Sequence, residues 1–148
     1  MSDLLDIFGV DIKAERTGTW VNFAPDVDFL IARRQNPNHR AVMDQLSRDY
    51  VNEIAAGTID RDVMRSITDR AIARAVWLGW RTQADGKDGT PAFVKHITIG
   101  DKKITYSEDA AFEILQDERL HDMREAILRI ADSQETFRIK AIKEAEKN

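Results

Sequence analysis

The most constraining feature of this chain lies towards its C-terminal end. Leu120, Met123, Ile127, Ile130, Gln134, Phe137 and Ala141 recur there at steps of three and four. Such steps put all of these residues on one side of an α-helix, as an a/d seam with a single polar interruption at Gln134. Asp117 stands where it can cap this helix, which then runs to about residue 146. At about 1.5 Å per residue that helix is roughly 45 Å long, so it either packs along the whole domain or projects from it. Over residues 120–130 the favoured reading is a core-facing stripe against other helices, the alternative a surface for a partner helix. Beyond Ser133 the balance reverses, because Phe137, Ile139 and Ile142 stand among Arg138, Lys140, Lys143 and Lys147. That pattern suits a partner-binding extension or a basic tail.

The rest of the chain divides by its turn residues. Residues 1–17 carry Leu4, Leu5, Ile7, Phe8, Val10 and Ile12, interrupted by Gly9, and either dock on folding or binding or fray as a flexible terminus. Thr19–Phe23 is rich in β-formers, Pro25-Asp26 supplies a turn, and Val27, Phe29 and Ile31 alternate with other residues, which predicts a β-hairpin over residues 18–35. Asn36-Pro37 opens a helix carrying Val42, Met43, Leu46, Tyr50, Val51 and Ile54, which Gly57 ends. Asp60 caps a second helix with its stripe at Val63, Met64, Ile67, Ala71, Ile72, Ala75 and Leu78, closing in Trp77-Leu78-Gly79-Trp80. A polar segment over residues 83–91 follows, then a small hairpin within residues 93–106 turning at Gly100-Asp101, in the Gly-X order of a type II′ turn. Ser107 caps a short helix through Leu115. These elements predict a single, mainly α (α+β) domain over residues 1–148. It consists of the N-terminal hairpin, a four-helix core over residues 37–132 with an inserted hairpin, and a helix extension or tail over residues 133–148.

Chemistry is mostly excluded. The chain has 148 residues and no cysteine, so a disulfide scaffold, a thiolate metal site and a cysteine nucleophile are ruled out. His39, His96 and His121 stand at no ligand spacing, and are expected to be exposed, one on a hairpin edge and two on helix surfaces. Asp85 and Asp88 outline a calcium-type loop that fails because Gly86 occupies a ligand position. Asp117, Glu118, Asp122 and Glu125 suit a helix start and form no acid/base couple. Twenty-two basic against 26 acidic residues give a net charge of −4, which speaks against a nucleic-acid binder despite the group Arg33, Arg34 and Arg40. Trp20, Trp77 and Trp80 read as core or interface anchors. No catalytic, cofactor or metal site emerges, and no apolar run approaches the roughly 20 residues of a membrane span. A basic leader is absent from the start of the chain, so the expectation is a non-enzymatic protein of the cytosol with a binding or assembly role.

The order of features resembles the tail assembly chaperones of long-tailed (siphovirus-type) bacteriophages. Gly18-x-Trp20-Val21 precedes Phe29-x-Ile31-Ala32-Arg33, then Asn36-Pro37 opens a helix and Leu78-Gly79-Trp80 closes the next. Asp85-Gly86, Tyr106-Ser107-Glu108-Asp109-Ala110, Leu115-Gln116-Asp117 and a final helix with Phe137 among charges complete the series, over residues 18–140. The departure is residues 87–105, which separate Asp-Gly from Tyr-Ser and should form a surface insertion outside the helical frame. The resemblance implies a non-catalytic chaperone, without cofactor, that binds the tape measure protein, keeps it soluble and helps tail-tube assembly. It would act in the host cytoplasm and be absent from the mature virion, without contact to nucleic acid or membrane. The tail-tube protein and a second copy are further candidate partners. Its expected binding surface is Leu120, Met123, Ile127, Ile130 and Phe137. A small structural head–tail connector, or another tail-assembly component, is the competing reading.

Overall fold

The computed structural model describes residues 2–146; Met1, Lys147 and Asn148, the ends of the N-terminal stretch and the expected tail, lie outside the described residues. Two short helices open the chain, α1 (Leu4–Phe8) and α2 (Ile12–Thr17), each started by an aspartate. The Asp3 carboxylate accepts from Leu5 N–H at 2.9 Å and the Asp11 carboxylate from Ala14 N–H at 3.0 Å. The expected hairpin follows as β1 (Thr19–Ala24) and β2 (Val27–Ile31). The next helix is α3 (Pro37–Ser47), continued through a 3-10 turn into α4 (Val51–Ala56), which Gly57 ends in the left-handed conformation at φ 71°. Asp60 caps α5 (Arg61–Ala75), its carboxylate accepting from Asp62 and Val63 N–H.

At this point the structure departs from the expected four-helix domain. The α5 helix stops at Ala75, and Trp77-Leu78-Gly79-Trp80 opens a long strand, β3 (Trp77–Asp85), instead of closing a helix. With β4 (Pro91–Val94) it completes a four-stranded antiparallel sheet in the order β1-β2-β3-β4. The cause is capping by residues distant in sequence. Asn36 Nδ2 donates to Ala75 O at 3.1 Å, and the Tyr106 hydroxyl lies 3.1 Å from Ala73 O and 2.9 Å from Trp77 O. Donors from two distant residues are thereby placed at the end of α5, where another helical turn would otherwise supply them. The same Asn36 accepts from Asn38 and His39 N–H through Oδ1, so one side chain ends α5 and starts α3. Burial pushes the Tyr106 hydroxyl up to about 12, which keeps it a donor.

The small hairpin, β5 (His96–Ile99) and β6 (Lys102–Thr105), forms as expected. Gly100 has φ 64° while Asp101 is not among the positive-φ residues, as a type II′ turn requires. It is no surface insertion, however. Ile97 is buried, Ile99 and Ile104 pack on the core, Trp80 Nε1 donates to Ile104 O at 2.9 Å, and Thr82 Oγ1 donates to His96 O at 2.6 Å. One aromatic series crosses the inner face of the sheet: Phe23, Phe29, Trp77, Trp80 and Tyr106, with successive ring centroids 4.4–5.0 Å apart.

Ser107 caps α6 (Glu108–Gln116), whose first-turn acids pair with α5 through Arg70 and Arg74. The expected long final helix is broken. Asp117 caps only a 3-10 turn, α7 spans His121–Asp132, and α8 (Ile139–Glu146) follows after extended backbone at Ser133 and Arg138. The break at Arg138 has a clear cause, because its backbone pairs antiparallel with Val10. A buried ionic node joins the helices. Asp69 of α5, fully buried, accepts from Arg124 Nε of α7 at 2.9 Å, Gln116 Nε2 of α6 at 2.6 Å and Arg65 Nε at 2.9 Å. Its carboxylate oxygens are thus well supplied with donors, the condition under which a buried charge is tolerated.

One histidine also departs from expectation. His39 is buried, not exposed, and its Nδ1 accepts from the N–H of Gln35, which sits at φ 69°. Burial holds the His39 imidazole below the ordinary histidine range, with Arg34 adding to the effect.

Tyr106→Phe removes the hydroxyl at the end of α5 and takes its one donor away from the Ala73 and Trp77 carbonyls. It should lower stability by about 1–3 kcal/mol, read as a lower urea midpoint at unchanged slope. A midpoint equal to wild type would show that the cap is not needed.

Candidate functional site

The five residues expected to bind a partner do not form an exposed seam. Ile127 and Phe137 have no exposed surface, and Leu120, Met123 and Ile130 are half-buried and packed against the same core. The a/d spacing thus marks a core stripe on α7, and Phe137 lies beyond the break, where its carbonyl accepts from Asp11 N–H at 2.8 Å. Ile127→Asp should therefore unfold the protein, seen as loss of the cooperative thermal transition. A folded, soluble Ile127→Asp variant would return this stripe to the surface.

Among the described residues the four most exposed large apolar side chains lie at the other end of the chain, and Tyr50, Val51 and Ile54 form a second exposed group around α4. Leu4, Leu5, Phe8 and Ile12 are each 60–69% exposed, and Ile7 is 43% exposed. They belong to α1 and the start of α2, and Asp3, Asp6 and Asp11 alternate with them. Backbone and side-chain contacts join this stretch to the C-terminal part of the chain. Ile139 N–H donates to Gly9 O at 3.0 Å, the Arg138 guanidinium donates to Ile7 O, and Arg138 also lies 5.2 Å from the centroid of the Phe8 ring. Glu15 of α2 pairs with Arg33. The chain thus presents several large apolar side chains on helices that are joined by backbone pairing to the segment around Arg138.

A second feature stands on the outer face of the sheet. Asn22, Asp28 and Arg81 are register neighbours on β1, β2 and β3. The buried Asp28 carboxylate accepts from Arg81 Nε at 2.9 Å, Gln83 Nε2 at 3.1 Å and Asn22 Nδ2 at 3.2 Å. The Arg81 guanidinium lies 4.1 Å from the Trp20 ring centroid and 3.7 Å from that of Phe93. Trp20 and Phe93 remain 39% and 45% exposed. Sequence reading missed this cluster because Asn22 and Asp28 stand more than fifty residues from Arg81 and Gln83 and meet them only through strand register.

Other expected groups are distributed differently. Trp77 and Trp80 are core residues, whereas Trp20 is an outer-face residue. Arg33 and Arg34 are paired with Glu15 and Asp132. Among the described residues no group of three or more His, Asp or Glu is arranged to hold a metal ion, and no helix is long and apolar enough to cross a membrane.

No curated protein and no solved structure matches the chain. A family model described as YdaY prophage protein matches residues 34–148, which takes in everything from the end of β2 onward and leaves out the exposed N-terminal helices. The chain belongs to the YdaY prophage protein family, a phage-derived family.

Proposed function

We propose that this prophage protein is a tail assembly chaperone that binds the tape measure protein, keeps it soluble and helps the tail tube assemble around it. The role is non-catalytic, is performed in the host cytoplasm, ends before the virion is complete, and involves neither nucleic acid nor membrane. The observation that carries this reading is the exposed apolar stretch Leu4, Leu5, Phe8 and Ile12, interleaved with Asp3, Asp6 and Asp11. A long helical client needs its apolar stripe covered before assembly and released afterwards. Exposed apolar side chains bordered by charge offer such a reversible contact. The seam on α7 is occupied by the protein's own core, so the N-terminal helices take the binding role that the resemblance gave to that seam.

Co-expression with the tape measure protein of the same genome tests this directly. The expected result is that the tape measure protein moves to the soluble fraction and copurifies. Leu4→Asp with Ile12→Asp should keep the fold, since both positions are exposed and open a helix, where a carboxylate suits the dipole. That double variant should lose at least tenfold of the capture. A tape measure protein that stays insoluble beside the wild-type chain would refute the chaperone reading and favour a structural tail or connector role.

A further inference from the structure

Arg33, Arg34 and Arg40 meet a fourth arginine, Arg16, around a cleft of about 580 Å³ between α2 and the start of α3. Two of the four are already paired. Arg33 N–H donates to Glu15 O at 2.9 Å, and its guanidinium pairs with the Glu15 carboxylate. Arg34 N–H donates to Ala131 O at 3.0 Å, and its guanidinium pairs with Asp132 at 3.0 Å. Arg16 and Arg40 are exposed and form no ion pair among the described residues. The cleft thus sets four guanidinium groups against two carboxylates, both of them engaged, in a chain whose net charge is −4. Ile12, 67% exposed, lines the same cleft. The apolar surface of the N-terminal helices therefore adjoins a local excess of positive charge.

We infer that this cleft binds carboxylate side chains of the partner, in an acidic segment next to the apolar stripe that Leu4, Leu5, Phe8 and Ile12 cover. The inference rests on the chaperone reading for the identity of the partner and adds its chemistry: apolar residues adjoined by Asp or Glu. Three observations select this occupant. The uncompensated charge lies on Arg16 and Arg40, and a guanidinium takes a carboxylate through two parallel N–H donors. Clusters of arginine are a recurrent means of reading acidic segments. Ile12 places an apolar group beside that charge, so the occupant carries both kinds of side chain. Among the described residues no aromatic side chain lines the cleft for a base to stack on, and two free cations in a chain of net negative charge are too few for a row of phosphates. A protein segment fits this cleft where a nucleic acid does not.

Capture of the co-expressed tape measure protein, measured from about 50 to about 500 mM salt with and without nuclease, tests this. Wild-type capture should weaken at least about fivefold across that range, because salt screens exposed charges. Arg16→Glu with Arg40→Glu should weaken capture by roughly tenfold or more at low salt and lose that salt dependence, with the thermal midpoint close to wild type. Should this pair fail to fold, Arg16→Gln with Arg40→Gln reads the same contact, with a loss of about threefold or more. If the complex forms and neither pair changes capture, the acidic-segment inference is wrong while the chaperone reading stands. If the wild-type chain captures nothing, both fall. If nuclease abolishes capture, or the purified chain carries nucleic acid that the Glu pair loses, the occupant is nucleic acid and the inference is overturned.

Discussion

The end of α5 governs this structure. Its apolar stripe runs straight from Ala75 into Trp77 without a glycine or proline to stop it. What stops it is the amide of Asn36 and the hydroxyl of Tyr106, one from the start of α3 and one from just beyond β6. Once those groups hold the terminal carbonyls, the chain turns into β3, and β3 binds β2 on one side and β4 on the other. The aromatic series from Phe23 to Tyr106 can form only because Trp77 and Trp80 lie on a strand and not on a helix. The sheet, the packing of the second hairpin and the outer-face cluster all follow from this one helix ending.

Around that point the molecule binds its polar groups with care. Asp69 ties α5, α6 and α7 together through Arg124 and Gln116, at the centre of contacts that are otherwise apolar. Leaving either ion of such a pair alone in the interior costs several kcal/mol, on the order of 3–5. At the far edge of the helical layer, the Glu108 carboxyl is held below its usual range by its hydrogen bond from Arg74, with Arg70 assisting. The termini are joined by backbone pairing at Val10 and Arg138, which also breaks the final helix. Each of these contacts joins segments that are distant in sequence.

That distance explains what was legible in the sequence. The hairpin at Pro25-Asp26, the caps Asn36, Asp60 and Ser107, the stop at Gly57 and the turn at Gly100 are all local, decided by a few neighbouring atoms, and they stand where spacing and residue type put them. The switch from helix to strand at Val76 was not legible, since its cause lies at Asn36 and Tyr106. The same holds for the broken final helix, where an unbroken a/d pattern conceals pairing with Val10. Periodicity located the stripe at Leu120, Met123, Ile127 and Ile130 but could not say whether the protein or a partner covers it. His39 was misplaced because a surface helix position looks the same in sequence as one turned onto a neighbour.

With the periodic seam spent on the core, the apolar surface left exposed is made of the N-terminal helices, Tyr50, Val51 and Ile54 around α4, and the outer-face rings of Trp20 and Phe93 beside α8. The hairpin β5–β6, which carries Lys102 and Lys103, contributes to the core and to no such surface. Lysine-directed cross-linking of the complex with the tape measure protein reads this difference most directly. Intermolecular links are expected from Lys13, Lys140 and Lys143 and none from Lys102 or Lys103. Links concentrated at Lys102 and Lys103, with Lys13, Lys140 and Lys143 unmodified by the partner, would contradict it.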